Sequence, residues 1–232
     1  MTDAAKTANG DRRIVILVGA VASGKGTQAG ILSHALGVPH LASGNLFRAA
    51  MDSGTTLGNE ARHYIERGDL VPDEITIGMF MAELASPAAV RGAILDGFPR
   101  TVAQARALDE SLAAQGERVS RVIFIDVPNE ELVSRASGRW ICPTCGTPYH
   151  LISEPPRVPG HCDVEGDELM QRDDDRPEVV RARLEHQVPP MLEVIDHYER
   201  QGVVERVDGD RPIDDVSADI LGRFGVARTE DR

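Results

Sequence analysis

A lysine at the end of a glycine-bounded turn is the first chemically pointed feature of this chain. Gly19 is followed by four spacers, then Gly24, Lys25, Gly26 and Thr27. That spacing suits a loop that wraps a phosphate. Glycines let backbone N–H groups converge on the anion, the helix that starts there turns its positive end toward it, and the lysine adds a point charge. Ala22 and Ser23 complete the loop, and Gly26 stands where Ser or Thr usually follows the lysine. The pattern is not G-x-G-x-x-G, which disfavours a dinucleotide fold. Further on, Asp96 ends an apolar run and Gly97-Phe98-Pro99-Arg100 follows. An acid at such a strand end reads as a holder of Mg2+, directly or through water, and Arg100 offers a fork that matches a phosphate. Gln104 is expected one helical turn beyond Arg100, on the same face. Arg48, Arg135, Arg139, Arg172 and Arg183 raise the phosphate-directed arginines to six. Arg135 and Arg139, four apart, are expected on one helix face.

A second chemistry lies between residues 139 and 171. This window holds all three cysteines, five prolines and few helix formers. Cys142-Pro-Thr-Cys145 is a tight thiolate knuckle, and Cys162 returns 17 residues later. Three thiolates at this spacing suit zinc, which needs a fourth ligand. A second knuckle of the same spacing puts that ligand at Glu165, with His161 and Asp163 as alternatives. The loop shows no evident core of its own, so a metal is expected to supply its folding energy.

The elements that must position these residues alternate. Apolar runs at Ile14–Val18, 38–41, 93–95, 122–127 and 204–207 read as strands. Helical patterns cover 24–35, a segment capped by Ser43, 58–66, 72–84, 101–115, 129–136, a helix entered at Pro177, and 213–224. This order predicts an α/β fold with a parallel sheet and helices on both faces. Ligands are then expected at the carboxyl ends of the strands, where Gly19, Asp96 and Asp208 fall.

Composition narrows the setting. The 232 residues are 41% hydrophobic, enough for one domain with insertions. A net charge of −12 argues against a nucleic-acid partner. An odd cysteine count in one window argues for reduced thiols and a cytoplasmic setting. No apolar run approaches a membrane span, and Met1 to Asp11 is polar, without a signal-peptide core.

Taken together, GAVASGKGTQA, LASGNLFRAA, GDLVPDEITIGMF, ILDGFPRTVAQA, SGRWICPTCGTPYH, QRDDDRPEVVRARL and VDGD resemble the adenylate kinases of the long-lid, zinc-binding bacterial type, over roughly residues 13 to 225. The resemblance implies a P-loop kinase fold with a five-stranded parallel sheet, reversible Mg2+-dependent transfer of the ATP γ-phosphoryl group to AMP, and a structural zinc. It implies that Gly19 and Ala22 to Thr27 hold the ATP phosphates, with Pro148, Tyr149 and the backbone near Arg211 at the nucleoside. Ser43, Gly44, Arg48, Ile65, Asp69 to Val71 (Leu70 between them), Gly97 to Arg100 and Gln104 would form the AMP site. Arg135, Arg139, Arg172 and Arg183 would close on the phosphates. It divides the chain into a core (13–41, 72–137, 176–226), an AMP-binding flap (42–71), a lid (138–175) and two tails (1–12, 227–232), acting as a monomer.

Several positions depart from the family's habit. Val21-Ala22 replaces Pro-Gly in the loop, Ser43 a Thr, Trp140 an Arg, and Glu165 an Asp or Cys. Asn45 replaces an Asp that helps order the waters on Mg2+, which leaves Asp96 alone there. Two other functions share these motifs: a kinase for another nucleoside monophosphate, and a non-catalytic nucleotide-binding or zinc-dependent interaction protein.

Overall fold

The computed structural model describes residues 12–65, 71–151, 154–171 and 175–226. Five strands build one parallel sheet: β1 (Arg13–Val18), β2 (His40–Ala42), β3 (Gly92–Asp96), β4 (Arg121–Asp126) and a C-terminal strand, Val204–Asp208. That last strand is β7, because a small hairpin, β5 (Arg139–Ile141) and β6 (Pro148–His150), precedes it. The sheet order is β2-β3-β1-β4-β7, and every pairing in it is parallel. β1 lies at the centre, so Ile14, Val15 and Ile16 are fully buried and its run is continuously apolar rather than alternating.

The period of two divides the core. Val15, Leu17, Ile94, Ile123, Ile125 and Val207 face one layer, with α1 (Lys25–Leu36), α6 (Asn129–Ser137), the first half of α7 (Pro177–Glu199) and α8 (Ile213–Arg223). Ile14, Ile16, Val18, Ala93, Leu95, Val122 and Phe124 face the other, with α4 (Asp73–Leu84), α5 (Val102–Ala113) and the second half of α7. The remaining helices, α2 (Ser43–Asp52) and α3 (Thr56–Ile65), pack on each other as an excursion between β2 and α4. The expected order of elements holds; the β5–β6 hairpin is an addition that its short strands did not announce.

The lid window has a core after all, contrary to the sequence reading. Cys142, Tyr149, Cys162 and Leu169 are buried together, with Trp140 packed against them. Trp140 faces Tyr149 across β5–β6. An aromatic in place of Arg therefore adds apolar area to a segment that has little of it.

Candidate active site

The ends of β1 and β3 and the start of α1 place the phosphate-directed groups. Gly24 caps α1 in the left-handed conformation, φ 85°, with no side-chain cap. The first turn of α1 carries no acid, whereas α4, α6 and α8 each begin with two: Asp73 and Glu74, Glu130 and Glu131, Asp214 and Asp215. The α1 end is therefore left open to an anion, a feature it shares with α2, α3 and α5, whose first turns also lack an acid. Gln28 fixes α1 to α8, donating to the Ile213 carbonyl at 3.1 Å and accepting from Ser217 Oγ at 3.0 Å.

The loop itself is tight. A Cβ on Gly19 would lie 2.5 Å from Ser23 Oγ, so only glycine fits. Ser23 Oγ is buried without a hydrogen-bond partner among the described residues. Val21 is buried in the core layer beneath, which accounts for an apolar residue there. Ala22 takes φ 61°, the one non-glycine residue with positive φ among those described. The left-handed region costs a residue with a Cβ roughly 1–2 kcal/mol, part of which a glycine returns as unfolded-state entropy. Ala22→Gly should therefore raise the melting temperature by about 1–2 °C, given the ~2–4 °C per kcal/mol of a chain this size. A lower melting temperature would show that the loop is not strained there.

Lys25 Nζ donates to the Ala20 carbonyl at 3.1 Å, within its own loop. Burial pushes its pKa down from 10.5 to about 8; Asp96 opposes this, while Arg100, Arg139 and Arg183 push it further down. Asp96 feels the converse. Burial raises its carboxyl, but the His40 hydrogen bond and the charges of Lys25, His40 and Arg100 more than offset that, so it stays below its ordinary value. His40 Nε2 lies 3.2 Å from Asp96 Oδ2. Sequence reading missed His40; its place at the start of β2, beside β3, was the available signal.

The lysine shift has a consequence for the nucleotide-free protein. Below pH 8 both folded and unfolded chains carry the charge, and the fold bears the full penalty of burying it. Between about 8 and 10.5 the folded lysine has shed its proton while the unfolded one keeps it, so stability rises with pH through that window. Lys25→Met should melt higher than the parent at pH 7, and the gap should close as pH approaches 10. A gap that is flat or widens would contradict the assignment.

Arg100 leads into the second half of the site. Its Nε donates to the Gly97 carbonyl at 2.9 Å and its Nη2 to Ser43 Oγ at 3.1 Å. Although part of the side chain meets solvent, its surroundings and the like charge of Arg183 push its pKa down, with Asp96 opposing. A set of cations held close together at this cost is an anion site. Gly97 has φ 73°, and a Cβ there would stand 2.6 Å from Ser43 Oγ, between the two partners.

Some sequence expectations are corrected here. Ser43 does not cap α2; Ala42 does, and Ser43 lies inside the helix with its hydroxyl on Arg100. Gln104 does not share a helix face with Arg100, which precedes α5. Instead Thr101 caps α5 by accepting from the Gln104 N–H at 3.2 Å, and Gln104 Oε1 accepts from the Arg100 N–H at 2.7 Å. The T-x-x-Q capping pattern was legible. Arg139 is not on α6 with Arg135 but opens β5. Arg135 is engaged by Glu131, the Gly209 carbonyl and Asp210, and Arg139 by the fully buried Asp175. Arg48 donates to Asn45 Oδ1 at 2.6 Å, so Asn45 acts on the arginine next to it. The Phe98 ring stacks on Phe80 in the core, centroids 4.2 Å apart, and Pro99 is buried behind it.

Ser43, Phe47, Val71, Gly97, Arg100 and Gln104 line a cavity together with α4 residues, next to Gly44 at the head of α2. Its free space is only ≈ 40 Å³, far less than a mononucleotide fills. A roomier groove of ≈ 650 Å³ between α6 and α7 contains none of the sequence-selected residues. Ile65 ends α3. Asp69, Leu70 and Arg172 lie outside the described residues, as do residues 1–11 and 227–232; Arg12, assigned to the N-terminal tail, is instead tied to the core by the Ala89 carbonyl at 3.0 Å and Glu117 at 2.8 Å.

In the lid the three Sγ atoms of Cys142, Cys145 and Cys162 lie within 4.8 Å of one another. Tyr149 is turned into this cluster: its hydroxyl is 3.4 Å from Cys162 Sγ and accepts the Asp163 N–H at 2.7 Å. Burial raises the Cys162 thiol, but hydrogen bonds from Tyr149 and from the Glu165 and Val164 N–H groups outweigh it and bring it to about 6. Three sulfur donors this close together fit a soft divalent cation. The Glu165 carboxylate is not in the three-sulfur group; His161 Nδ1 sits at the Gly166 carbonyl, and Asp163 accepts from the Arg157 N–H.

A family model described as adenylate kinase matches residues 17–203. The chain belongs to the adenylate kinase family. It is 46% identical over 211 residues to the adenylate kinase of Exiguobacterium sibiricum, covering 91% of this chain and 98% of that one. It is 43% identical to that of Staphylococcus aureus and 45% to that of Oceanobacillus iheyensis, each spanning 89% of this chain and 96% of theirs. It is thus a phosphotransferase of ATP and AMP on a P-loop kinase fold, with ADP as product, and adenylate kinases use Mg2+ with ATP. Among the described residues no helix is long and apolar enough to cross a membrane.

Proposed function

We propose the following roles for this chain's residues in adenylate kinase catalysis. The backbone of Gly19 and of Ala22 to Thr27, with Lys25, holds the ATP phosphates. Arg100 and Arg48 hold the AMP phosphate, and Ser43, Gly44, Ile65, Asp69 to Val71, Gly97 to Pro99 and Gln104 shape the rest of that site. Arg139 and Arg183, with Arg135 and Arg172, offset the charge that develops between the two nucleotides. Mg2+ held through water by Asp96 would add charge neutralisation at the transferring phosphoryl group. Pro148, Tyr149 and Arg211 meet the ATP nucleoside; since the Tyr149 ring is taken up by the lid core, its contact is through the backbone. The supporting observation is the convergence of Lys25, Asp96, Arg100, Arg139 and Arg183 in one electrostatic group at the strand ends.

Residues 42–71 would move as the AMP flap and 138–175 as the lid that excludes water, with 13–41, 72–137 and 176–226 as core. Cys142, Cys145, Cys162 and Glu165 would hold a structural zinc. Support for Glu165 comes from a repeat in the backbone. Cys142 N–H bonds to the Thr147 carbonyl and Gly146 N–H to that of Cys142; Cys162 N–H bonds to Asp167 and Gly166 N–H to Cys162. Gly146 and Gly166 share φ 73° and 79°. The two knuckles superimpose in sequence with Glu165 where Cys145 stands. The protein is read as a cytoplasmic monomer without nucleic-acid or membrane partners.

ADP formation from ATP plus AMP should be abolished in Lys25→Ala. Replacing AMP with CMP, UMP or GMP should reduce the rate sharply; equal use of another acceptor would reassign the substrate, and activity retained in Lys25→Ala would reject the site.

A further inference from the structure

The cavity beside Arg100 holds a carboxylate that none of the assigned roles uses. Asp73, the first residue of α4, accepts from Gln104 Nε2 at 2.7 Å through Oδ1 and from Thr101 Oγ1 at 2.9 Å through Oδ2. Gln104 is 3% exposed, and its Oε1 accepts the Arg100 N–H at 2.7 Å. A primary amide has two N–H donors and two acceptor lone pairs. One of each is therefore committed, and the commitment has a direction. Turning the amide over would put Oε1 against a carboxylate and Nε2 against an N–H donor. Thr101 reinforces the polarity: its hydroxyl accepts from the Gln104 N–H at 3.2 Å, so its own proton goes to Asp73.

We propose that Asp73 is a positioning residue that sets which purine the site accepts, by locking the Gln104 amide with its oxygen in one place and its nitrogen in the other. This rests on the reading of the cavity as the AMP base site. A locked amide keeps one acceptor and one donor in fixed order toward the base. A 6-aminopurine offers a donor at position 6 beside a ring-nitrogen acceptor, which meets that order. A 6-oxopurine offers an acceptor at position 6, which meets it only if the amide turns over. A buried polar group left facing its like is far more discriminating than a lost apolar contact. Asp73 contributes through the side chain what the Arg100 N–H contributes through the backbone. Only the first is open to substitution.

The test compares AMP with inosine monophosphate, which differs at the 6 position and the adjoining ring nitrogen. Asp73→Leu removes the acceptor that faces Gln104 Nε2 and leaves the Arg100 N–H as the remaining one of the two locks. Asp73→Ala does the same with a smaller side chain and serves if the Leu variant does not fold. Both should lower the AMP-to-IMP ratio of kcat/KM about tenfold or more, partly by raising activity on IMP. A purely structural role for Asp73 would lower both substrates together and leave the ratio alone, and that outcome overturns the proposal. Gln104→Ala separates the two layers of the argument. If its ratio falls while the Asp73 variants keep theirs, the lock is wrong and the base site stands. If its ratio is unchanged, the base-site reading fails and the lock with it.

Discussion

Arg100→Ala should lower kcat/KM for AMP by about a thousandfold, the scale of an arginine that stabilises phosphoryl-transfer charge. Two of its five N–H groups are spent on the Gly97 carbonyl and Ser43 Oγ, and these fix the plane of the fork. The remaining three are available to phosphate. Burial and the like charge of Arg183 both work against its charge, and Asp96 offsets part of this. An anion arriving here relieves that repulsion, so much of the binding energy of AMP is expected to be electrostatic. Arg100→Lys should recover little, since an ammonium keeps the charge but neither the fork nor both anchoring bonds. Steady-state kinetics with varied AMP at saturating ATP measures this. A change of only a few-fold in the Ala variant would remove Arg100 from the phosphate site.

Stripping the zinc proposed for the lid should lower the melting temperature by about 10 °C. The figure follows from ~4 kcal/mol for a metal held about a thousandfold above its dissociation constant and ~2–4 °C per kcal/mol at this chain length. Elemental analysis should find one zinc per chain. Four protein ligands leave no open position, so the metal is expected to hold the lid together rather than to act on substrate. The lid core is small, and two of its four buried members are the cysteines themselves, so losing the metal loosens the core as well. Cys145→Ser should therefore cost more than Glu165→Gln, whose carboxylate is the harder, weaker donor. Glu165→Cys should bind zinc more tightly and melt higher, because it completes the second knuckle with a thiolate. If neither quantity changes, the fourth ligand is not Glu165.

What the sequence by itself determined is local chemistry and its order along the chain. The loop from Gly19 to Thr27, the acid at the end of β3 and the CxxC knuckle are each defined by neighbours within a few residues. The continuous apolar runs of β1 and β4 and the intervening helices were enough to require a parallel sheet, because such strands are buried on both faces. The tertiary structure decided what each side chain does once distant segments meet. His40 reaches Asp96 because β2 pairs with β3, 56 residues on. Ser43 serves Arg100 rather than its own helix, and Asp73 holds Gln104 across 31 positions. Arg139 left the face of Arg135 because α6 stops at Ser137 and the chain turns into a hairpin. Periodicity counts residues along one element, and these partnerships are set by which elements pack together, a quantity no local spacing contains.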